Sequence, residues 1–199
     1  MSQRMALKAA IDLMHVPSQV RLFRAEPLPD GVLILLLIAG GDEEAERAAA
    51  AITDRSSETV RQAATFFIEQ IFFAPDADSY RMLGAGPQAT AGELRRNVAL
   101  LMRWLHPDLD HRSDRSIFVS RVTAAWNDLK TPERRAAYDD GLRASNGSRS
   151  RHRSGKSRTL RFGTSEQARL GRNAQLLRGS DKIGFFRRAL SVLFHRPPQ

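Results

Sequence analysis

The chain has 199 residues, 42% hydrophobic and 27% charged, proportions of a soluble protein with room for one or two modest cores. It contains no cysteine, which excludes disulfides, thiol nucleophiles and every cysteine-based zinc site. The net charge of +9 is unevenly held: residues 1–142 carry 17 Lys and Arg against 20 Asp and Glu, while residues 143–199 carry 14 against 2.

Residues 1–16 include Arg4 and Lys8 but no uninterrupted apolar core ahead of a small-residue cleavage site, so no signal peptide is expected. Residues 19–24 alternate Val20, Leu22 and, less regularly, Phe23 with polar and charged side chains. Pro27, Pro29, Asp30 and Gly31 then supply turn chemistry. Residues 32–39 are the one fully apolar run; at eight residues it is far short of the roughly 20 that span a bilayer. Together these features predict a β-hairpin. Gly40 and Gly41 end it, and Asp42 is placed to cap a helix running to about residue 52. Ser56 or Ser57 caps the next helix, in which Val60, Ala63, Ala64, Phe67, Ile68, Ile71 and Phe72 recur at helical spacing until Pro75. Such an aromatic stripe is core far more often than a cofactor box.

From Asp78 the pattern changes. Leu94, Val98, Leu101, Met102 and Leu105 mark one face of a helix that Pro107 ends, since proline lacks an amide and restricts His106 before it. The polar residues 109–113 turn the chain. Val119, Val122, Ala125, Trp126 and Leu129 mark a second helix, and two such faces joined by so short a loop predict an antiparallel hairpin. Thr131 and Pro132 open a last short helix through Tyr138.

After Gly141 the composition shifts to Ser, Gly and Arg, and residues 143–180 are expected to be a disordered basic linker. Asp181 is placed to cap a closing amphipathic helix over residues 181–196. It would carry Ile183, Phe186, Leu190, Leu193 and Phe194 on or near one side, and Lys182, Arg187 and Arg188 on the other. The expected organisation is thus mainly α: a small α/β region over residues 1–77, built from the hairpin and two helices, then a helical domain over residues 78–142, the linker and the closing helix.

Several motifs fall in order along the helical segment. Asp78, Tyr80, Leu83 and Gly84 form D-x-Y-x-x-L-G; Glu93 and Leu94 precede His106, Pro107 and Asp108 by a fixed interval. Ala125, Trp126 and Leu129 form A-W-x-x-L, and residues 133–139 read E-R-R-A-A-Y-D. On these residues the segment 78–141 resembles a J-domain of the DnaJ family, and four flanking motifs at correct spacing remove the chance-match risk of a bare H-P-D. The resemblance implies a J-domain core of Tyr80, Leu83, Leu94, Val98, Leu101, Leu105, Val122, Ala125, Trp126, Leu129 and Tyr138. It also implies that His106, Pro107 and Asp108 contact a DnaK-type chaperone and stimulate its ATPase, the hydrolysis taking place in the partner. Physically, the loop offers a rigid bend, a hydrogen-bonding ring and a carboxylate suited to an arginine or backbone amides. The blander alternative is that the triplet only ends a helix, and a metal site of His106, Asp108, Asp110 and His111 is a weaker alternative still.

Family members usually present basic side chains on the second helix to an acidic patch of the chaperone, a role open here to Arg95, Arg96 and Arg103. A merely solvated helix face is the competing reading of each arginine. Val98, Ala99 and Leu100 stand where the family typically has an aromatic and two basic residues, and Leu109 where a basic residue commonly follows the signature. These departures imply weaker electrostatic docking, arising from a specialised partner, a surface covered by the N-terminal region, or lost stimulation. No Gly/Phe-rich segment and no zinc-binding client domain follow. The resemblance therefore implies a J-protein of the J-domain-only type, with client choice left to residues 1–77, the tail or localisation.

The primary expectation is a non-enzymatic co-chaperone with no cofactor and no metal, cytoplasmic or peripheral at the inner face of a membrane. The alternative is a nucleic-acid or anionic-membrane-surface binder that works through the basic tail and keeps the J-like helices as scaffold; such attraction weakens with salt. The tail has almost no interleaved aromatics for stacking on single strands, and a solubilising tether is its plainest reading. The closing helix has three candidate docking sites: residues 1–77, a membrane, or another protein. No nucleophile with its base, phosphate loop or carboxylate dyad supports an enzyme reading.

Overall fold

The fold comes from a computed structural model that describes residues 2–106 and 116–153. Nine α-helices run through these residues in chain order: α1 (Ser2–His15), α2 (Val20–Ala25), α3 (Leu33–Ala39), α4 (Glu43–Thr53), α5 (Ser57–Phe67), α6 (Ser79–Met82), α7 (Ala91–Trp104), α8 (Ser116–Leu129) and α9 (Pro132–Arg153). Residues 1–138 form one compact unit and residues 139–199 a second.

The expected β-hairpin is absent; the described residues contain no strand, and both its arms are helical. The run from Leu33 to Ala39 is α3, entered through Gly31 at φ 84° and left through Gly41 at φ 77°. A short apolar run carries no period that separates a buried strand from a buried helix. Two facts favour the helix here. Leucine is a strong helix former, and a lone segment in a helical bundle satisfies its own amides and carbonyls only by coiling. Ile34, Leu35, Leu36 and Ile38 are 5, 0, 1 and 0% exposed, so α3 is covered on nearly all sides. Burying four such side chains contributes roughly 6–12 kcal/mol as an upper estimate. The other arm is α2, whose helical turn brings Phe23 inward, 6.3 Å edge-on from the Phe67 ring, and leaves Leu22 63% exposed.

Helix α1 has no counterpart among the expected elements. It packs on α5, α4 and α3 through Ala6, Leu7, Ala10, Ile11 and Leu13, all buried at largely helical spacing. Helices α4 and α5 start where their caps predict: Asp42 accepts from Ala45 N at 2.9 Å and Ser56 from Thr59 N at 3.2 Å. Between them, Arg61 forks onto the buried Glu46 at 2.7 and 3.1 Å. Beyond Phe67 the helix widens into a π turn, Ile68–Phe72, closed by the Phe73 amide on Ile68 O at 3.2 Å.

Helix α3 also packs on α7, so the first five helices and the segment beginning at Asp78 share one core. Helix α9 does not stop near Tyr138 as expected but runs on to Arg153, through residues anticipated as linker. Once nucleated, each further residue adds a hydrogen bond for the dihedrals it fixes. The remainder of the expected linker and the closing amphipathic helix lie outside the described residues. No helix of the described residues is long and apolar enough to cross a membrane.

Candidate functional site at the end of helix α7

The site is built on α7. Thr90 and Glu93 form a reciprocal capping box: Thr90 N donates to Glu93 Oε2 at 2.7 Å and Glu93 N to Thr90 Oγ1 at 3.2 Å. Those bonds from Thr90, first the amide and then the hydroxyl, hold the Glu93 carboxyl below the usual carboxylate range. At the far end the His106 amide donates to Arg103 O at 3.0 Å, which tightens the last turn. The half-buried His106 then leaves the helix. Pro107, Asp108, Leu109, Asp110 and His111 lie outside the described residues, and with them most of the metal alternative.

The corner is held from behind by a pile of rings. Phe73, just past the π turn, stacks on Trp104 at 5.9 Å and 7°, and on Phe118 at 4.4 Å and 14°. The end of α7 and the start of α8 therefore meet over one ring. Arg121 of α8 locks Phe73 in place: Nη1 donates to Phe73 O and Nη2 to Ala74 O, both at 2.8 Å. Its guanidinium also lies 5.8 Å from the Phe73 ring centroid. Burial lowers the Arg121 pKa from its ordinary value, but two charge-assisted bonds keep the cation the useful form.

The opposite end of the hairpin is tied through α6. Ser79 Oγ donates to Asp128 Oδ2 at 2.7 Å, near the end of α8, and Ser79 N to the Tyr138 hydroxyl at 2.7 Å. Asn97 Nδ2 of α7 donates to Leu83 O at 3.0 Å and Gly84 O at 3.2 Å. Arg135 of α9 bonds the Tyr80 hydroxyl at 2.9 Å, Ala89 O at 2.7 Å and Pro87 O at 2.6 Å. With the start of α8 against the end of α7, and the end of α8 against α6, the two rods run antiparallel.

The structure buries Tyr80, Leu83, Leu94, Val98, Leu101, Leu105, Val122, Ala125, Trp126 and Leu129, and half-buries Tyr138. Arg95, Arg96 and Arg103 are exposed, with Ala99 and Leu100 half-buried between them. At 100° per residue, Arg96, Ala99 and Arg103 share one strip of α7 and Arg95 stands on its edge. Arg103 Nη2 also donates to Gly41 O at 3.4 Å. Four supporting residues were missed in the sequence: Phe73, Trp104, Phe118 and Arg121. Only the aromatic stripe leading into Phe73 hinted at them. Among the described residues, no group of three or more acidic or histidine side chains is placed to hold a metal ion.

A DnaJ domain family model matches residues 78–139. The chain is 35% identical over 66 residues to a chaperone protein DnaJ of Latilactobacillus sakei, a match covering 33% of this chain and 17% of that one. It is 40% identical over 62 residues to a chaperone protein DnaJ of Tropheryma whipplei, covering 31% and 17%. It is 36% identical over 62 residues to a curved DNA-binding protein of Coxiella burnetii, covering 31% and 20%. The matches thus span only about a fifth or less of the relatives' lengths, and no solved structure matches. The family model falls on the segment that holds the capped helix hairpin of α7 and α8: residues 78–139 of this chain are a J-domain.

Proposed function

We propose that this chain is a co-chaperone that binds a DnaK-type chaperone and accelerates its ATP hydrolysis through His106, Pro107 and Asp108. The observation that carries the reading is the DnaJ-domain match over residues 78–139; His106 emerging from α7 beside an exposed strip of Arg95, Arg96 and Arg103 fits it. Those guanidiniums attract an acidic surface and set the association rate, and the loop supplies the directional bonds. The chain itself hydrolyses nothing in this scheme. Residues 1–77, the tail or localisation select the client, and the work is done in the cytoplasm or at the inner face of a membrane.

The test is single-turnover ATP hydrolysis by DnaK-type chaperones of the same cell. Stimulation should be lost in His106→Gln at unchanged helicity. An unstimulated rate with every such chaperone rejects the proposal. A second reading, binding to nucleic acid through the tail, is favoured by one observation: residues 143–199 carry 14 Lys and Arg against 2 acidic residues. A curved DNA-binding protein also stands among the relatives. It requires retention on DNA that falls steeply with salt and disappears when residues 143–199 are removed.

A further inference from the structure

On the flank away from α8, α7 is not bare. A side chain begun at Gly40 would meet Leu100 Cδ2 at 3.7 Å, and Arg103 Nη2 reaches Gly41 O. The turn between α3 and α4 therefore borders the arginine strip. It is a stiff border: Gly41 N donates to Ile38 O and Asp42 N to Leu37 O, both at 3.0 Å, and Asp42 caps α4. Behind it lie Leu36 and Ile38, 1 and 0% exposed, which no rim charge contact would compensate for exposing. Leu100, half-buried, sets its apolar end against this turn.

We infer that the α3–α4 turn, residues 40–43, is a fixed second edge of the docking surface, so that a bound chaperone touches this turn as well as the arginine strip. The inference rests on the co-chaperone reading above. Any surface that reaches the Arg103 guanidinium comes within about one side chain of Gly41, and next meets Asp42 and the exposed Glu43. The fitting partner surface is acidic against the arginines and carries a basic side chain at the border facing Asp42 and Glu43. Residues 1–77 thereby help choose the chaperone and do not swing away when it binds.

The absence of cysteine makes the test clean. Full-length Arg96→Cys, Glu43→Cys and Met5→Cys variants, each carrying a thiol-linked benzophenone, are photolysed with the ATP-bound chaperone. Cross-links are expected from positions 96 and 43 but not from Met5, which is 59% exposed on α1. A cross-link from 96 without one from 43 overturns the inference and leaves the co-chaperone reading standing; none from either overturns both. A Gly40→Cys, Leu100→Cys double variant closed by a short bis-thiol linker should stimulate hydrolysis within twofold of its open form. A tenfold loss on closing would show that the turn must move aside, and would overturn the fixed edge.

Discussion

Gly84 closes the D-x-Y-x-x-L-G motif at φ +61°, and a Cβ there would lie 2.6 and 2.9 Å from two atoms of the Phe72 ring. Left-handed backbone and overpacking act together, so Gly84→Ala should cost about 2–4 kcal/mol, visible as a lower urea midpoint. The family-like glycine is thus also a contact between the J-domain and the helix that precedes it. Arg121 works in the same region through polar bonds. Arg121→Met should leave the Phe73 and Ala74 carbonyls short of a donor and cost about 2–3 kcal/mol, whereas Arg121→Lys, with one ammonium for two carbonyls, should recover part of the loss. Both are measured by urea unfolding. Neither role was legible in the sequence, because an arginine that belongs to no motif, one turn before Ala125, gives no sign of which carbonyls it will meet.

At the scale of elements, the capping box of α7 predicts a pH dependence. The Glu93 carboxyl is held below its ordinary range by Thr90, so its contribution is present above the unfolded-state pKa. That contribution is lost as pH falls through the depressed folded value. The stability gap between the wild type and Glu93→Gln should therefore be open at pH 7 and close on acidification, measured by urea midpoints across that range. Helices α4 and α5 were legible because each joins a capping side chain to apolar residues at helical spacing, and α7 and α8 because their apolar residues recur at three and four. Helix α3 was not, since an unbroken apolar run carries no phase, and its surroundings rather than its residues settled helix over strand. Helix α1 is announced only by the helical spacing of Leu7, Ala10, Ile11 and Met14, with no acidic residue in its first turn to mark its start.

At the scale of the molecule, the J-domain motifs located the site, while nothing in the sequence told that α3 would pack on α7. That contact makes residues 1–138 one compact unit, which predicts one cooperative transition. In native-state hydrogen exchange across a urea series, the slowest amides of α1, α5 and α8 should converge on a single opening free energy. Separate limits for α1 and α8 would show two independently folding parts.

The π turn at Ile68–Phe72 sets the rotational phase between the two halves of this unit. A five-residue closure advances the chain one position beyond an ordinary helix, and that offset is what aims Phe73 between Trp104 and Phe118. Deleting a single residue there would swing Phe73 by about 100° and leave the helix hairpin formed but its corner unbraced. A chimera that spliced a foreign helical bundle onto residue 78 would keep every signature letter of the J-domain and still lack the keystone that steadies His106.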